Sequence, residues 1–236
     1  MKKLMVAMLL LCLAASGCRP PHPSKVAMDP AFEPNKVGAV LVAPVISAII
    51  EGQDPKRESE TVTNSLLMEY LAERTDYRFV SPEQFKMAVA KGGLQQQWAA
   101  FEETWASRHE MDKDFFQKLR REMNADAVLV PLVYLWNKDE ADYREAATNS
   151  VTQVGITLTL VDSATGAVLW EASDENYKES VRSEDRNTVS TAGIDRRVEG
   201  VTGVGHDMYA APPFEDVANL VLKAVVDALP KRGSAQ

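Results

Sequence analysis

Residues 151–173, VTQVGITLTLVDSATGAVLWEAS, decide the fold of this chain. Between Val151 and Val161, apolar side chains alternate with small or polar ones, which is the two-residue period of a half-buried strand. The apolar set is Val154, Ile156, Leu158 and Leu160. Asp162–Gly166 is rich in turn residues, and Gly166 supplies the positive φ that tight loops need. A returning strand from Ala167 to about Ser173 completes the predicted β-hairpin.

Three further strands are predicted upstream of the hairpin. Val37–Val45 is apolar on both alternating faces, so it indicates a central strand covered on both sides, and Pro44 marks the end of its pairing. Tyr77–Val80 indicates a short strand. Ala127–Trp136 is an apolar strand interrupted by Pro131, whose missing N–H predicts an edge or a bulge at that point.

Helical periodicity with an apolar face occurs five times, in segments that begin at Ser59, Ser81, Leu94, Asp112 and Phe214. The predicted fold class is therefore α/β, an α+β sandwich in which a mixed β-sheet of about five strands packs against helices. Residues 37–230 are expected to form a single domain. This domain is expected to contain a helical insert at about 94–111 and a long loop at about 175–213. A polar tail at 231–236 follows it.

The N-terminus has the layout of a secretory signal peptide over residues 1–17. Lys2 and Lys3 precede an apolar run from Leu4 to Leu13, which is too short to span a bilayer as a helix. Small residues then lead to Cys18. This stretch resembles the bacterial lipobox, and the resemblance implies that Cys18 is the mature N-terminus and carries fatty acyl chains such as palmitate. An ordinary signal-peptidase site, with Cys18 a free thiol, is the alternative interpretation.

The segment from Cys18 to Lys36 contains five prolines and no apolar period, which predicts a partly polyproline-like tether. About eighteen residues at roughly 3.1 Å each give a reach of at most about 55 Å. The residue after the cysteine is Arg19, not Asp. By the sorting rule of the lipoproteins that the lipobox resembles, this implies lipid anchoring in the outer membrane, with the domain facing the periplasm.

Composition and charge exclude several classes of function. Removing 17 of the 236 residues leaves 219, of ordinary globular composition, with 45% hydrophobic and 25% charged residues over the full chain. The formal charge of −8 becomes about −10 when Lys2 and Lys3 are lost, which argues against nucleic acid as a partner. Because both cysteines, Cys12 and Cys18, lie in the targeting region, the domain has none for a disulfide, a nucleophile or a zinc site.

The sequence predicts no catalytic residue, no metal ligand and no cofactor. The histidines His22, His109 and His206 do not have metal-ligand spacing, and the nucleophile-elbow and zinc-protease motifs are absent. The glycines between Gly200 and Gly205 neither follow a buried strand nor open a helix, so they do not indicate a nucleotide-binding loop.

Three short motifs suggest a family. They are the strand entry NADAVLV at residues 124–130, the hairpin VDSATGAVLW at residues 161–170 and the step from Tyr77 to Phe85. Together they resemble envelope lipoproteins of the curli-secretion (CsgG-like) type, the penicillin-binding-protein activator (LpoB) type and the N-terminal domain of TolB. The motifs themselves are turn and strand signatures, and Asp162, Thr165 and Gly166 are interpreted as structural.

The resulting functional hypothesis is a non-catalytic interaction or assembly module that binds another envelope protein or itself. The alternatives are a subunit of a curli-type channel or oligomeric outer-membrane complex, and a peptidoglycan-synthase activator. A channel would need alternating hairpin strands of about nine to eleven residues, and Glu175–Pro213 lacks that alternation. The helical spacing of Trp98, Phe101 and Trp105 favours burial in the core, but if exposed these rings would form the partner surface.

Overall fold

The computed structural model describes residues 23, 25–50, 52–140, 149–180 and 210–233. The predicted signal peptide, Cys18 and most of the predicted loop from 175 to 213 lie outside the described residues. The glycine-rich stretch at 200–205 and the last three residues of the tail also lie outside them.

Among the described residues, a seven-stranded mixed sheet forms the middle of the domain. Its strands are β1 (Lys25–Met28), β2 (Ala39–Val42), β3 (Ile46–Ser47), β4 (Arg78–Val80), β5 (Ala127–Asp139), β6 (Val151–Asp162) and β7 (Val168–Glu179). The strand order is β1-β7-β6-β5-β2-β4, with β3 also beside β5. Strand β2 runs parallel to β4 and β5, whereas β5, β6, β7 and β1 pair antiparallel. The predicted mixed sheet is confirmed, with β1 and β3 added to the five expected strands.

Within the described part of the chain, five helices pack on the two faces of this sheet. They are α1 (Glu58–Glu73), α2 (Pro82–Lys91), α3 (Gln95–Arg108), α4 (Lys113–Met123) and α5 (Phe214–Asp227). Helices α1 and α5 share one hydrophobic core with alternate residues of β2, β5, β6 and β7. Helices α2, α3 and α4 share a second core with the opposite residues of β2, β3 and β5. The predicted α/β class is confirmed, because helices pack on both faces of a mixed sheet.

The ends of α2 and α4 follow the signals in the sequence. Ser81 caps α2 by accepting from the Gln84 N–H, and Asp112 caps α4 by accepting from the Phe115 N–H at 3.0 Å. Asn124 ends α4 in the left-handed conformation at φ 47°.

Strand β1 corrects the prediction of a tether that continues to Lys36. Lys25–Met28 pairs antiparallel with β7, with Lys25 opposite Ser173 and Met28 opposite Trp170. Pro34–Lys36 then forms a 3-10 turn. The prolines of this segment therefore flank a docked strand. They predicted an extended chain correctly, but its hydrogen-bonding partner lies about 145 residues away and leaves no local signal.

Strand β7 also extends beyond its prediction and shortens the expected loop. It continues to Glu179, which lies opposite Val151 of β6. The residues from Glu175 onward are charged or polar, yet they pair because the first residues of β6 offer them a complete antiparallel ladder.

The two strand prolines lie at one break in the sheet. Strand β5 pairs with β2 as far as Leu129 and with β3 from Leu132, so Pro131 falls between the two ladders. Pro44 lies in the matching gap between β2 and β3. The expectation that Pro131 marks a sheet edge is wrong, since β5 is central, and the register shift of β5 lies beyond it at Val133/Leu135.

Candidate partner interface

The aromatic residues predicted as an alternative partner surface lie mainly in the second core. Phe101 is 1% exposed and Trp105 is 2% exposed, whereas Trp98 is half-buried. The rings of Phe101 and Phe115 stack at 5.7 Å, and Trp98 packs edge-on against Phe85 at 4.7 Å. The partner-surface alternative is wrong for Phe101 and Trp105, because α3 turns this side toward α2 and α4. The other predicted site residue, Cys18, lies outside the described residues.

A different aromatic feature opens on the surface where β5, β6, β7 and β1 lie side by side. We call it the tyrosine cleft; it has a volume of about 320 Å³ and is lined by Lys25, Tyr134, Gln153, Ser173, Glu175, Asn176 and Tyr177. Sequence analysis missed it because its residues come from four strands, and two of those segments were interpreted as a tether and a loop. The sequence did contain one signal of the cleft: Tyr134 and Tyr177 are large aromatic residues in or next to segments with a strand pattern.

A β-bulge places Tyr134 in the cleft. Val133 of β5 lies opposite Ile156 and Leu135 lies opposite Gly155, so Tyr134 is the extra residue between them. A bulge changes the direction of a side chain relative to the regular pleat. Here the ring of Tyr134 lies over β6 at Gly155, the position where a glycine leaves room for it.

The Tyr134 side chain reaches across β6, and its hydroxyl is fixed by hydrogen bonds to β7. It donates to the backbone carbonyl of Asp174 at 3.2 Å and accepts from the Ser173 Oγ at 3.3 Å. Burial raises the pKa of the Tyr134 phenol above its ordinary value, with a smaller opposing effect from the Ser173 hydrogen bond. Tyr134 is therefore a neutral, immobilised wall of the cleft.

The remaining cleft residues form a rim of mixed chemistry, in which Lys25, Glu175 and Tyr177 are exposed. Tyr177 is 60% exposed and lies opposite Gln153 in the β6–β7 ladder. Lys25 brings a positive charge from β1 and Glu175 a negative charge from β7. The cleft therefore has a rigid aromatic wall with amide and charged groups around it. Such a surface can bind a small number of side chains from a partner protein, because Tyr offers a large contact area together with a hydrogen-bonding hydroxyl.

A second groove lies at the carboxyl ends of the parallel strands, where ligands of open α/β sheets commonly bind. It has a volume of about 420 Å³, and its lining includes Glu60, Asn64 and Lys86. Nearby, burial raises the pKa of Glu102, and the adjacent Glu60 carboxylate adds to this effect. The side-chain oxygen of Asn64 is buried without a hydrogen-bond partner. This groove thus combines charges of both signs.

The described residues contain no group of three or more His, Cys, Asp or Glu side chains placed to hold a metal ion. Among the same residues, no helix combines the length and the apolar character needed to cross a membrane.

Comparisons with known proteins give likenesses at the level of structure only. No protein-family model matches the chain, and no curated protein matches it. It is similar to the lipoprotein GNA1162 from Neisseria meningitidis, at 22% identity and a TM-score of 0.38, over 72% of this chain and 99% of that one. It is also similar to the PelC dodecamer from Paraburkholderia phytofirmans, at 15% identity and a TM-score of 0.42, over 88% and 96% of the two chains.

The C-terminal domain of LpoB from Escherichia coli is similar at 16% identity and a TM-score of 0.35, over 72% of this chain and 93% of that one. Structural neighbours thus include lipoproteins, at scores and identities too low to establish a family, a partner or an activity for this chain.

Proposed function

We propose that this protein is a lipid-anchored module of the outer membrane, facing the periplasm, which binds another envelope protein through the tyrosine cleft and performs no catalysis. The observation that supports this proposal most directly is the cleft itself. Its two tyrosines lie on β5 and β7, on either side of β6 in a rigid sheet, and Tyr177 is 60% exposed. Exposed aromatic side chains on a rigid support are typical of the residues that dominate binding energy in protein interfaces.

The rigidity of the cleft favours binding of a protein segment. Strands β6 and β7 are paired along their length, and side-chain hydrogen bonds join them at Thr157–Ser173 (3.1 Å) and Thr159–Glu171 (3.1 Å). A preformed surface loses little conformational entropy on association, so more of its contact energy remains as affinity. The cleft has room for one or two side chains, which fits a projecting loop or an extended segment of the partner.

The anchor follows from the N-terminal sequence. The lipobox-like stretch ending at Cys18 implies that this residue is diacylated through one group attached to its sulfur, and two chains are what stable membrane anchoring requires, since a single chain binds only marginally. A Cys18→Ser variant of the full chain should therefore leave the membrane fraction. Its retention in that fraction would contradict the anchor without bearing on the cleft.

The binding proposal is tested by site-specific crosslinking in cells. A photo-crosslinking amino acid replaces Gln153 in the full-length protein, and the same amino acid replaces Met87 of α2 as a position control. We expect a discrete adduct from position 153 only. Its identification by mass spectrometry then distinguishes an envelope partner, including a peptidoglycan synthase, from a second copy of this chain.

Specificity is tested by a second substitution in the crosslinking protein. Tyr177→Ala should reduce the adduct several-fold, because it removes the exposed ring of the cleft. Leu220→Ala, which removes a comparably exposed apolar side chain from α5, should leave the adduct unchanged. Equal adducts from positions 153 and 87, or insensitivity to Tyr177→Ala, would contradict binding at the cleft.

A further inference from the structure

Strand β1 begins only seven residues after Cys18. Seven peptide units of about 3.6 Å limit the distance from Cys18 to Lys25 to about 25 Å, even if the chain is fully extended. A tether running to Lys36 would have allowed about twice this distance. The difference arises because Lys25–Met28 is a strand of the sheet and not part of the tether.

Docking of β1 fixes where the tether meets the domain. All four of its residues lie opposite residues of β7, and the following Asp29 N–H donates to the Leu169 carbonyl at 3.0 Å. The tether therefore reaches the domain at one edge of the sheet. The opposite edge, β4, lies five strand spacings away, which is about 24 Å at 4.8 Å per spacing.

The edge strand β1 also carries two exposed apolar side chains on one of its faces, opposite Ala172 and Trp170 of β7. Val26 is 54% exposed and Met28 is 42% exposed, and within the described part of the chain β7 is the only strand that pairs with β1. Exposed sheet edges are usually protected by charge, by proline or by a covering element. An apolar edge close to a membrane anchor has the lipid interface as its nearest cover.

We infer that the β1 edge, with Val26 and Met28, is the surface that this domain turns toward the bilayer, while the β4 edge and α2 lie on the far side. This inference rests on the proposed anchor at Cys18. It adds a constraint on the partner: because Lys25 of β1 also lines the tyrosine cleft, the cleft opens close to the membrane surface. The partner must then present its binding segment at the level of the lipid headgroups.

The orientation can be measured with single-cysteine variants of the full-length lipidated protein. Val26→Cys and Met28→Cys place a thiol on the β1 edge, and Met87→Cys places one on α2, where the native methionine is 62% exposed. If Cys18 is acylated and Cys12 is removed with the signal peptide, each variant carries one reactive thiol. A fluorescent thiol label is attached, and the protein is reconstituted into phosphatidylethanolamine and phosphatidylglycerol vesicles that contain lipids spin-labelled at the headgroup.

We expect the quenched fraction of fluorescence at positions 26 and 28 to be at least threefold that at position 87. Equal quenching at the three positions, or stronger quenching at 87, would overturn the inference. Flotation of the same vesicles separates this result from the anchor: protein that fails to float contradicts acylation of Cys18, whereas floating protein with the wrong quenching order contradicts the orientation alone. Unchanged unfolding midpoints of the labelled variants confirm that the strand remains docked.

Discussion

The ring of Tyr134 occupies the space that a side chain at Gly155 would need. A Cβ atom built on Gly155 would lie 2.6 Å from Cε2 and 2.7 Å from Cζ of Tyr134, well inside van der Waals contact. The cleft wall therefore depends on two features of different strands: a bulge that turns Tyr134 across the sheet, and a glycine that accepts its ring. An aromatic ring placed over a strand glycine also covers backbone that would otherwise be exposed.

Gly155→Ala should destabilise the domain by about 1–3 kcal/mol, because overpacking of this size forces a ring or a backbone to move. Urea unfolding of the protein measures this change in free energy and the shift of the unfolding midpoint. Tyr134→Ala supplies the matched background: with the ring removed, the two shortest contacts of the added methyl group are lost and the contact with Leu135 Cβ at 3.0 Å remains. The cost of Gly155→Ala should then be smaller than in the wild-type background. Additive costs in the double variant would contradict the contact.

The guanidinium group of Arg74 donates hydrogen bonds to backbone carbonyls at and just beyond the C-terminal end of α5. The Arg74 Nη1 donates to the carbonyls of Val226 at 3.0 Å and Leu229 at 3.2 Å, and Nη2 donates to that of Pro230 at 3.3 Å. The same group forms a bidentate pair with Asp76, at 2.8 Å and 2.7 Å. Hydrogen bonding from Arg74 holds the pKa of the Asp76 carboxyl below its ordinary value.

Arg74→Ala should lower the free energy of unfolding by about 2–4 kcal/mol, since it leaves a partly buried carboxylate and several helix-terminal carbonyls without their donor. Arg74→Lys should recover only part of this loss, because an ammonium group cannot reproduce the planar fork. Chemical unfolding measures both. The control is Lys223→Ala, which breaks a half-exposed pair with Asp227 and should have a much smaller effect on stability. Similar losses for Arg74→Ala and Lys223→Ala would contradict this role.

Asp126 joins β2 to the start of β5. Its Oδ2 accepts from the backbone N–H of Gly38 at 2.8 Å and of Ala39 at 2.9 Å, and its own carbonyl accepts from the Ser163 hydroxyl at 2.8 Å. Asp126→Ala should cost about 1–2 kcal/mol in unfolding free energy through loss of the two N–H contacts. Asp126→Asn keeps one acceptor oxygen and should cost less. Equal losses in the two variants would show that these hydrogen bonds are not the cause.

The local signals in the sequence predicted the parts of the fold that depend on local chemistry. The alternation from Val151 to Val161 and the turn at Gly166, where φ is +70°, define the hairpin that the structure contains. In contrast, β1 depends on a partner strand far along the chain, and the bulge at Tyr134 depends on how β5 and β6 align. A cleft built from such features could not be inferred from periodicity, which reports only the faces of single elements.

The helical spacing of Trp98, Phe101 and Trp105 could not predict which part of the protein packs against these side chains. Periodicity showed that the three side chains share a face of one helix, but it did not show what lies against that face. The answer comes from Phe115 and Phe116 of α4, which pack on Phe101 at 5.7 Å and 5.2 Å. These contacts make α3 a core element, so Phe101 and Trp105 do not form a partner surface.

Glu102 of α3 gives a prediction about pH. Burial raises the pKa of its carboxyl above the ordinary value of 4.5, the nearby Glu60 carboxylate raises it further, and Arg57, Trp98 and Lys86 oppose this. The folded protein therefore holds this proton to a higher pH than the unfolded chain does. The stability that this group contributes is present below pH 4.5 and is lost as the pH rises through the raised pKa.

Glu102→Gln removes the charge and keeps the shape, so it should stabilise the domain at pH 7 by a fraction of a kcal/mol. The advantage of the variant over the wild type should shrink as the pH is lowered to about 4, because the wild-type carboxyl is then protonated. Unfolding in urea at pH 4 and pH 7 measures the difference. Glu103→Gln, at the exposed neighbouring position, should show no comparable pH-dependent gain. A Glu102→Gln variant that is less stable than the wild type at pH 7 would mean that the ionised carboxylate makes a favourable contact in the folded state, and that its pKa is lowered instead of raised.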